Sequence, residues 1–207
     1  MNRTLRALIV CGAILVPSVA SADVLSILYF DNNTEIQELE WLRKGLADML
    51  ISDLAATGKI QVVQREKLEQ ILKEQKLGQS GLFDEGTAAK IGKLTGANFV
   101  LTGSYIRLAE VLRINTTLYD VETGKSAGAA SVEGLSGNIL ILEKQLALKL
   151  FDALKLDLSE EEKIRILQMP TQDIEALKYN YKGLDALDQN KRDEAQDYFK
   201  KALQQDK

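Results

Sequence analysis

Histidine is missing from all 207 residues, and cysteine occurs once, at Cys11. Without histidine there is no Ser-His-Asp or Cys-His machinery, no imidazole metal ligand, and none of the side chain that most often acts as a base near neutral pH. A lone cysteine closes no disulfide within one chain and builds no thiolate zinc cluster. Basic residues are also in deficit, 26 against 30 acidic ones, for a formal net charge of −4. A surface of that sign has no general attraction to phosphate backbones, so nucleic acid is not expected as a partner. Paired-carboxylate hydrolysis survives formally, but the sequence singles out no acidic pair for it. The reading is therefore of a chain without catalytic residues, cofactor or metal. It is not an enzyme by this account.

What is present suffices for a folded protein. Hydrophobic residues make up 45% and charged residues 27%, and the length suits one medium domain with a small appendage. The first segment reads as a secretion leader. Arg3 and Arg6 form a basic start, Leu8, Ile9, Val10, Ala13, Ile14, Leu15 and Val16 an apolar stretch, and Pro17 breaks it. Ala20-Ser21-Ala22 then supplies the small residues read by signal peptidase, which predicts cleavage after Ala22. The stretch falls short of the roughly 20 apolar residues of a spanning helix. Val10 before Cys11 does not suit a lipobox, so lipidation is not expected. Export, and a mature chain in the periplasm without a transmembrane segment, follow from this leader, with a peripheral position at the outer membrane left open.

Ser26-Ile27-Leu28-Tyr29-Phe30 reads as a buried strand ending in a turn at Asp31-Asn32-Asn33. Thr34 and Gln37 have capping-box spacing. Leu39, Leu42, Leu46, Met49, Leu50 and Leu54 then give one apolar helix face that Gly58 closes, followed by a short strand at Ile60-Gln61-Val62-Val63. A second helix carries Leu68, Ile71 and Leu72 and stops near Gly78. Gly81 falls in a loop, and a third helix, capped by Asp84, carries Ala88, Ile91 and Leu94 up to Gly96.

Residues 111–121 alternate, with Leu112, Ile114 and Leu118 on one side and Arg113, Asn115 and Thr117 on the other. Period two with one wet face predicts an antiparallel strand, and its flanks at 99–107 and 126–133 complete a three-strand meander. Residues 139–156 read as an apolar helix whose charges, among them Glu143, Lys144 and Lys149, argue against a membrane span. Pro170 and Thr171 mark a domain boundary. The expected division is a leader over 1–22, an α/β domain over 23–168 and a helical hairpin over 171–207.

An ordered series of short segments adds a resemblance. Leu28-Tyr29-Phe30-Asp31-Asn32, Gly45-Leu46-Ala47-Asp48-Met49-Leu50, Val62-Val63-Gln64-Arg65, Leu72-Lys73-Glu74-Gln75, Ser80-Gly81, Gly92-Lys93-Leu94-Thr95-Gly96-Ala97, Leu101-Thr102-Gly103-Ser104 and Asp120-Val121-Glu122-Thr123-Gly124 follow one another in turn. In this the stretch 27–132 resembles the CsgG family, which includes the curli assembly/transport component. The resemblance implies an α/β fold of layered α+β type, a small mixed sheet with an antiparallel meander packed by helices, similar also to the N-terminal domain of TolB. It does not extend to pore formation. Pore-forming members insert long amphipathic hairpins and carry a lipid anchor, whereas the link Leu108-Ala109-Glu110 is far shorter than the about 9–11 residues of one membrane strand.

Residues 176–207 resemble one tetratricopeptide repeat, with Tyr179 at the first aromatic position, Gly183 at the helix-crossing position, and Ala195, Phe199 and Ala202 on the second helix. Ala186 stands where a tyrosine is usual. Tyr179, Gly183, Ala195, Phe199 and Ala202 are the candidate protein-binding set. A single repeat buries too little surface to stand alone, so it docks on the main domain, pairs with another copy, or begins an array.

Other features have plainer readings. Gly124-Lys125-Ser126 is a hairpin turn, since Tyr119 stands where a phosphate loop needs glycine. Asp31, Asn32, Asn33 and Glu35 suit a capped turn better than a cation loop. Trp41 reads as packed core or an edge cover. The apolar girdle of 139–156 is a candidate self-association surface, or else packs under the hairpin. Together these imply a non-enzymatic periplasmic protein acting through protein partners in cell-envelope or curli-like fibre assembly and secretion, without forming the pore. The alternative is a periplasmic ligand- or ion-binding sensor using Asp31–Asn33.

Overall fold

A computed structural model describes residues 22–34, 36–75, 85–169, 171 and 173–206. The leader up to Ser21, Glu35, Gly78, Gly81, Asp84 and Pro170 lie outside the described residues.

Strand β1 (Val24–Ile27) buries Leu25, Ser26 and Ile27, as a strand covered on both faces must. It lies parallel to both β3 (Gln61–Val62) and β4 (Phe99–Leu108). β4, β5 (Val111–Asp120) and β6 (Ser126–Leu135) form the expected antiparallel meander, and the sheet runs β3-β1-β4-β5-β6. Asp31–Asn32, expected as a turn, is instead strand β2, parallel to Ser104 and Tyr105 of β4. The regular part of β1 stops at Ile27 because Phe30 N–H turns away to the carbonyl of Arg43.

The capping box expected from Thr34 and Gln37 does not form. The Thr34 backbone N–H and hydroxyl both donate to Asn32 Oδ1, and Thr34 Oγ1 accepts from the Ile36 N–H. This local alternative outcompetes the cap, and a single 3-10 turn, Gln37–Leu39, follows with no side-chain cap.

Helix α1 (Leu42–Ala55) buries Leu42, Leu46, Leu50 and Leu54 and ends ahead of Gly58, whose φ of +70° is free of cost only for glycine. Helices α2 (Arg65–Gln75) and α3 (Glu85–Thr95) follow, and Gly96 (φ +74°) closes the latter. Ala88 and Ile91 of α3 are buried as expected, but Leu94 points outward. Helix α4 (Ile139–Ala153) covers β6 and packs beside α1. Helix α5 (Glu160–Leu167), not anticipated from the sequence, is closed by a full capping box between Ser159 and Glu162. Among the described residues no helix is long and apolar enough to cross a membrane.

The structure narrows two expectations for the 139–156 helix. Most of its girdle is occupied within the chain, since Leu142, Leu146, Leu150 and Phe151 are buried against the sheet and α1, while Ile141 stays exposed. The hairpin packs chiefly on α1. The charges meanwhile lie partly inside. Glu143 is fully enclosed, and Lys144 Nζ stands 3.5 Å from it while bonding both oxygens of Asp53 on α1, at 2.6 and 2.8 Å.

Two carboxylates therefore share one ammonium in a dry seam. Burial above all, and then the charge of Asp53, push the Glu143 pKa from 4.5 to about 8. The native state holds a proton that the unfolded chain releases near pH 4.5, so stability falls as pH rises from about 4.5 to about 8 and levels off beyond. Each pH unit in that window removes up to about 1.4 kcal/mol. Denaturant unfolding at about pH 5 and about pH 8 measures the loss, and Glu143→Gln flattens it. Equal pH dependence in the variant and the parent contradicts the assignment.

Candidate functional site

Three helices present side chains to one another at helical spacing, and the site grows from their meeting. Trp41, Lys44 and Asp48 line one face at the start of α1. Arg65, Glu69 and Lys73 do the same along α2. Tyr181, Asp185 and Asp188 belong to helix α6 (Ile174–Asp188), the first arm of the C-terminal hairpin whose second arm is α7 (Arg192–Gln205).

Lys44 is the centre. Its ammonium contacts Asp185 at 2.7 Å, Glu69 at 2.8 Å and Asp188 at 3.0 Å, and it lies 5.2 Å from the centre of the Tyr29 ring. Arg65 reaches the same Asp188 at 2.7 Å and Asp48 at 3.4 Å. Lys73 Nζ donates to the Asp188 carbonyl at 2.6 Å, at the negative end of α6. The Tyr29 hydroxyl donates to Glu69 at 2.6 Å.

The titration tendencies follow from this arrangement. Burial works against the charge of Lys44, but its bonds to Asp185 and Glu69 outweigh burial and hold it above the ordinary lysine value. Burial likewise opposes the Glu69 charge, yet donation from Lys44 and Tyr29 keeps that carboxyl below its usual range. Burial pushes Asp48 up to about 6 against the opposing pull of Arg65, and one of its oxygens has no partner.

Aromatic contact completes the join. Trp41 stacks on Tyr181 with ring centres 6.0 Å apart and planes 15° from parallel. A Cβ on Gly45 would lie 3.0 Å from the Trp41 ring and 3.1 Å from Tyr181, so the small residue admits both. Beside this seam opens a groove of about 970 Å³ whose walls include Tyr29, Trp41, Leu72, Tyr181, Lys182 and Tyr198.

Of the five residues singled out from the sequence, Gly183 faces Phe199 so closely that an added Cβ would sit 2.5 Å from the ring. Ala195 is fully buried, and Phe199 and Ala202 are half-buried. Tyr179 stacks on Tyr198, 6.4 Å between centres, with Lys201 near both rings. Gly183 and Phe199 thus join the two helices at their crossing, while Tyr179 belongs to an aromatic–lysine cluster continuous with the groove through Tyr198. Trp41, read as core or an edge cover, is the surface on which the hairpin docks. Sequence reasoning missed Lys44, Glu69, Asp185 and Asp188; the three helical stripes were visible, but nothing local says that they meet. Among the described residues, no three or more acidic or thiol side chains gather to hold a metal ion.

The class defined here is a mixed α/β sheet domain carrying a helical hairpin clamped on its first helix. The family model for the curli production assembly/transport component CsgG matches residues 13–136, more than half of the chain. The protein belongs to the CsgG family. The match ends at the meander, so the hairpin lies beyond it. No curated protein matches the chain.

Three solved structures are similar in fold. The LpoB C-terminal domain from Salmonella enterica is 22% identical over 58% of this chain and 87% of its own, with a TM-score of 0.48. Lipoprotein GNA1162 from Neisseria meningitidis is 15% identical, covering 64% and 99%, at 0.46. TolB from Acinetobacter baumannii is 16% identical, covering 65% and 28%, at 0.44.

Lys44→Met leaves three carboxylates around an apolar tip. With Lys44 about one-fifth exposed, the loss expected is about 1–3 kcal/mol. Thermal unfolding and trypsin cleavage within 173–206 report it, with Lys44→Arg recovering part of the effect. A hairpin that stays as protease-resistant in Lys44→Met as in the parent contradicts the clamp.

Proposed function

We propose that this protein is a non-enzymatic periplasmic adaptor of the CsgG family, exported by its first 22 residues, that holds protein partners during assembly or secretion at the cell envelope. The α/β domain over 23–168 is the platform, and the repeat-like hairpin over 171–207 supplies one wall of the binding groove. The observation that carries this reading is the groove itself, with one wall from α1 and α2, the other from the hairpin, and a join fixed by Lys44 and Arg65.

The groove chemistry supports binding over turnover. Its carboxylates Glu69, Asp185 and Asp188 are engaged by Lys44 and Arg65, which leaves none of them without a cationic partner. Tyrosine and tryptophan rings with a polar rim are what protein-recognition surfaces use most, because they bury area at low entropic cost. In this reading Gly183, Ala195, Phe199 and Ala202 set the shape of the wall and Tyr179 extends its aromatic surface. Pore formation is left aside, because the β4–β5 link is only Ala109-Glu110. Asp31 and Asn32 are taken up in the sheet, and Asn32 is bonded to Glu40 at 2.9 Å, which favours the adaptor over an ion sensor.

Affinity capture from envelope extracts tests the reading, with the intact chain compared against Tyr198→Ala and Lys182→Glu. Both are rim changes that keep the clamp. The expected result is a specific partner recovered by the parent and lost from both variants. Recovery of the same partner by the variants removes the groove from the proposal, and turnover of a small molecule by purified protein overturns it.

A further inference from the structure

Strand β6 ends the sheet with ten residues, Ser-Ala-Gly-Ala-Ala-Ser-Val-Glu-Gly-Leu, while the opposite edge β3 has two. β6 contains one charge, Glu133, and no proline, and its one irregularity lies between Ser126 and Gly128, which leaves 128–135 as a regular open edge. The direction of its free backbone groups can be read. The Ala130 carbonyl accepts from the Thr116 hydroxyl on β5, and the Ser136 N–H donates to the Glu110 carbonyl. Backbone groups alternate along a strand, so Ala129, Ser131 and Glu133 turn theirs toward the open side. Lys149 confirms the parity, reaching Ser131 O from α4 at 2.7 Å.

The same side carries the uncovered stripe of α4. Ile141 is 45% exposed, Gln145 is exposed and Leu148 is half-buried, one or two turns before or beside Lys149. An open ladder and an aliphatic helix stripe therefore face one direction.

We infer that β6 pairs antiparallel with β6 of a second copy, joining two sheets into one and laying the two α4 stripes against each other. Self-pairing is favoured over a foreign strand by charge and shape. Centred on Ala130, the pairing sets Ala129 opposite Ser131 of the second copy and places no like charges opposite each other, since each Glu133, 3.8 Å from Arg113 of its own chain, falls across from Ala127. The small residues from Ala127 to Ser131 offer no bulk against it. Because α4 is tied to β6, the two-fold axis that pairs the strands also makes Ile141 and Leu148 meet their counterparts. Lys149 holds one outward carbonyl in the single chain and competes with the partner's amide. The inference is independent of the groove.

Sedimentation of the intact chain over a concentration series is the test. The parent is expected to dimerise reversibly. Ser131→Pro removes an outward N–H that β5 does not use, and Ile141→Glu places a charge in the helix stripe; each raises the dimer dissociation constant at least about tenfold, with circular dichroism and Tm showing retained fold. If Ser131→Pro does not fold, Ala129→Lys reads the same edge. Lys149→Ala tightens the dimer. A parent that stays monomeric at about 0.1 mM, or an association that Ile141→Glu and the edge variants leave unchanged, overturns the inference.

Discussion

The ammonium of Lys44 is the point on which the arrangement of the two parts turns. A two-helix hairpin closes only a narrow apolar contact of its own, and by size alone it would fray from any surface it touched loosely. Its contact with α1 has an aromatic component, Trp41 on Tyr181, but rings of that kind slide. Three carboxylates around one lysine do not. Asp185 and Asp188 of α6, and Glu69 of α2, converge on Lys44 within 3.0 Å, and Arg65 takes the remaining side of Asp188. Desolvation makes such a cluster modest as a source of stability, yet any misplaced docking would leave the part-buried Glu69 and Asp188 without their cationic partners. The ions set register where the apolar contact cannot.

That distinction also separates what could be read in the chain from what could not. The meander was legible because alternation between Leu112, Ile114 and Leu118 and their polar neighbours is a local signal of a sheet with one covered face. The hairpin was legible from Gly183 and Phe199, where a missing Cβ and a large ring complement each other at the crossing. Gly58 and Gly96 announced helix ends through a conformation that other residues resist. Strand β2 was hidden because Asp31 and Asn32 have poor strand propensity and are held by Ser104 and Tyr105 more than seventy positions on. The clamp was hidden for the same reason, since Lys44 and Asp188 are 144 positions apart and no periodicity connects them.

Helix α4 shows how composition misleads when shape is unknown. Charges at Glu143, Lys144 and Lys149 argued correctly that the segment does not span a membrane, but they gave no hint that two of the three lie inside. Lys144 is enclosed because Asp53 on α1 awaits it, and Glu143 is enclosed because it lies one turn from the buried Ile139 and Ala147 on the face that packs inward. The apolar girdle was similarly ambiguous. Most of it fills the core, while Ile141 is exposed and Leu148 is half-buried.

The layout gives these separate features a common logic. Along the sheet, α1 lies over β1, β2 and β3 and carries the hairpin, whereas α4 lies over β6. The groove beside Tyr29 and the open edge of β6 therefore occupy opposite ends of one sheet. A partner seated in the groove would not obstruct strand pairing at β6, and the rigid β4–β5–β6 ladder between them holds the two ends at fixed spacing. A dimer joined at β6 would carry its two grooves at the outer ends of a continuous sheet, so that one assembly could hold two partners, or two regions of one, at a separation set by the backbone and not by a flexible linker.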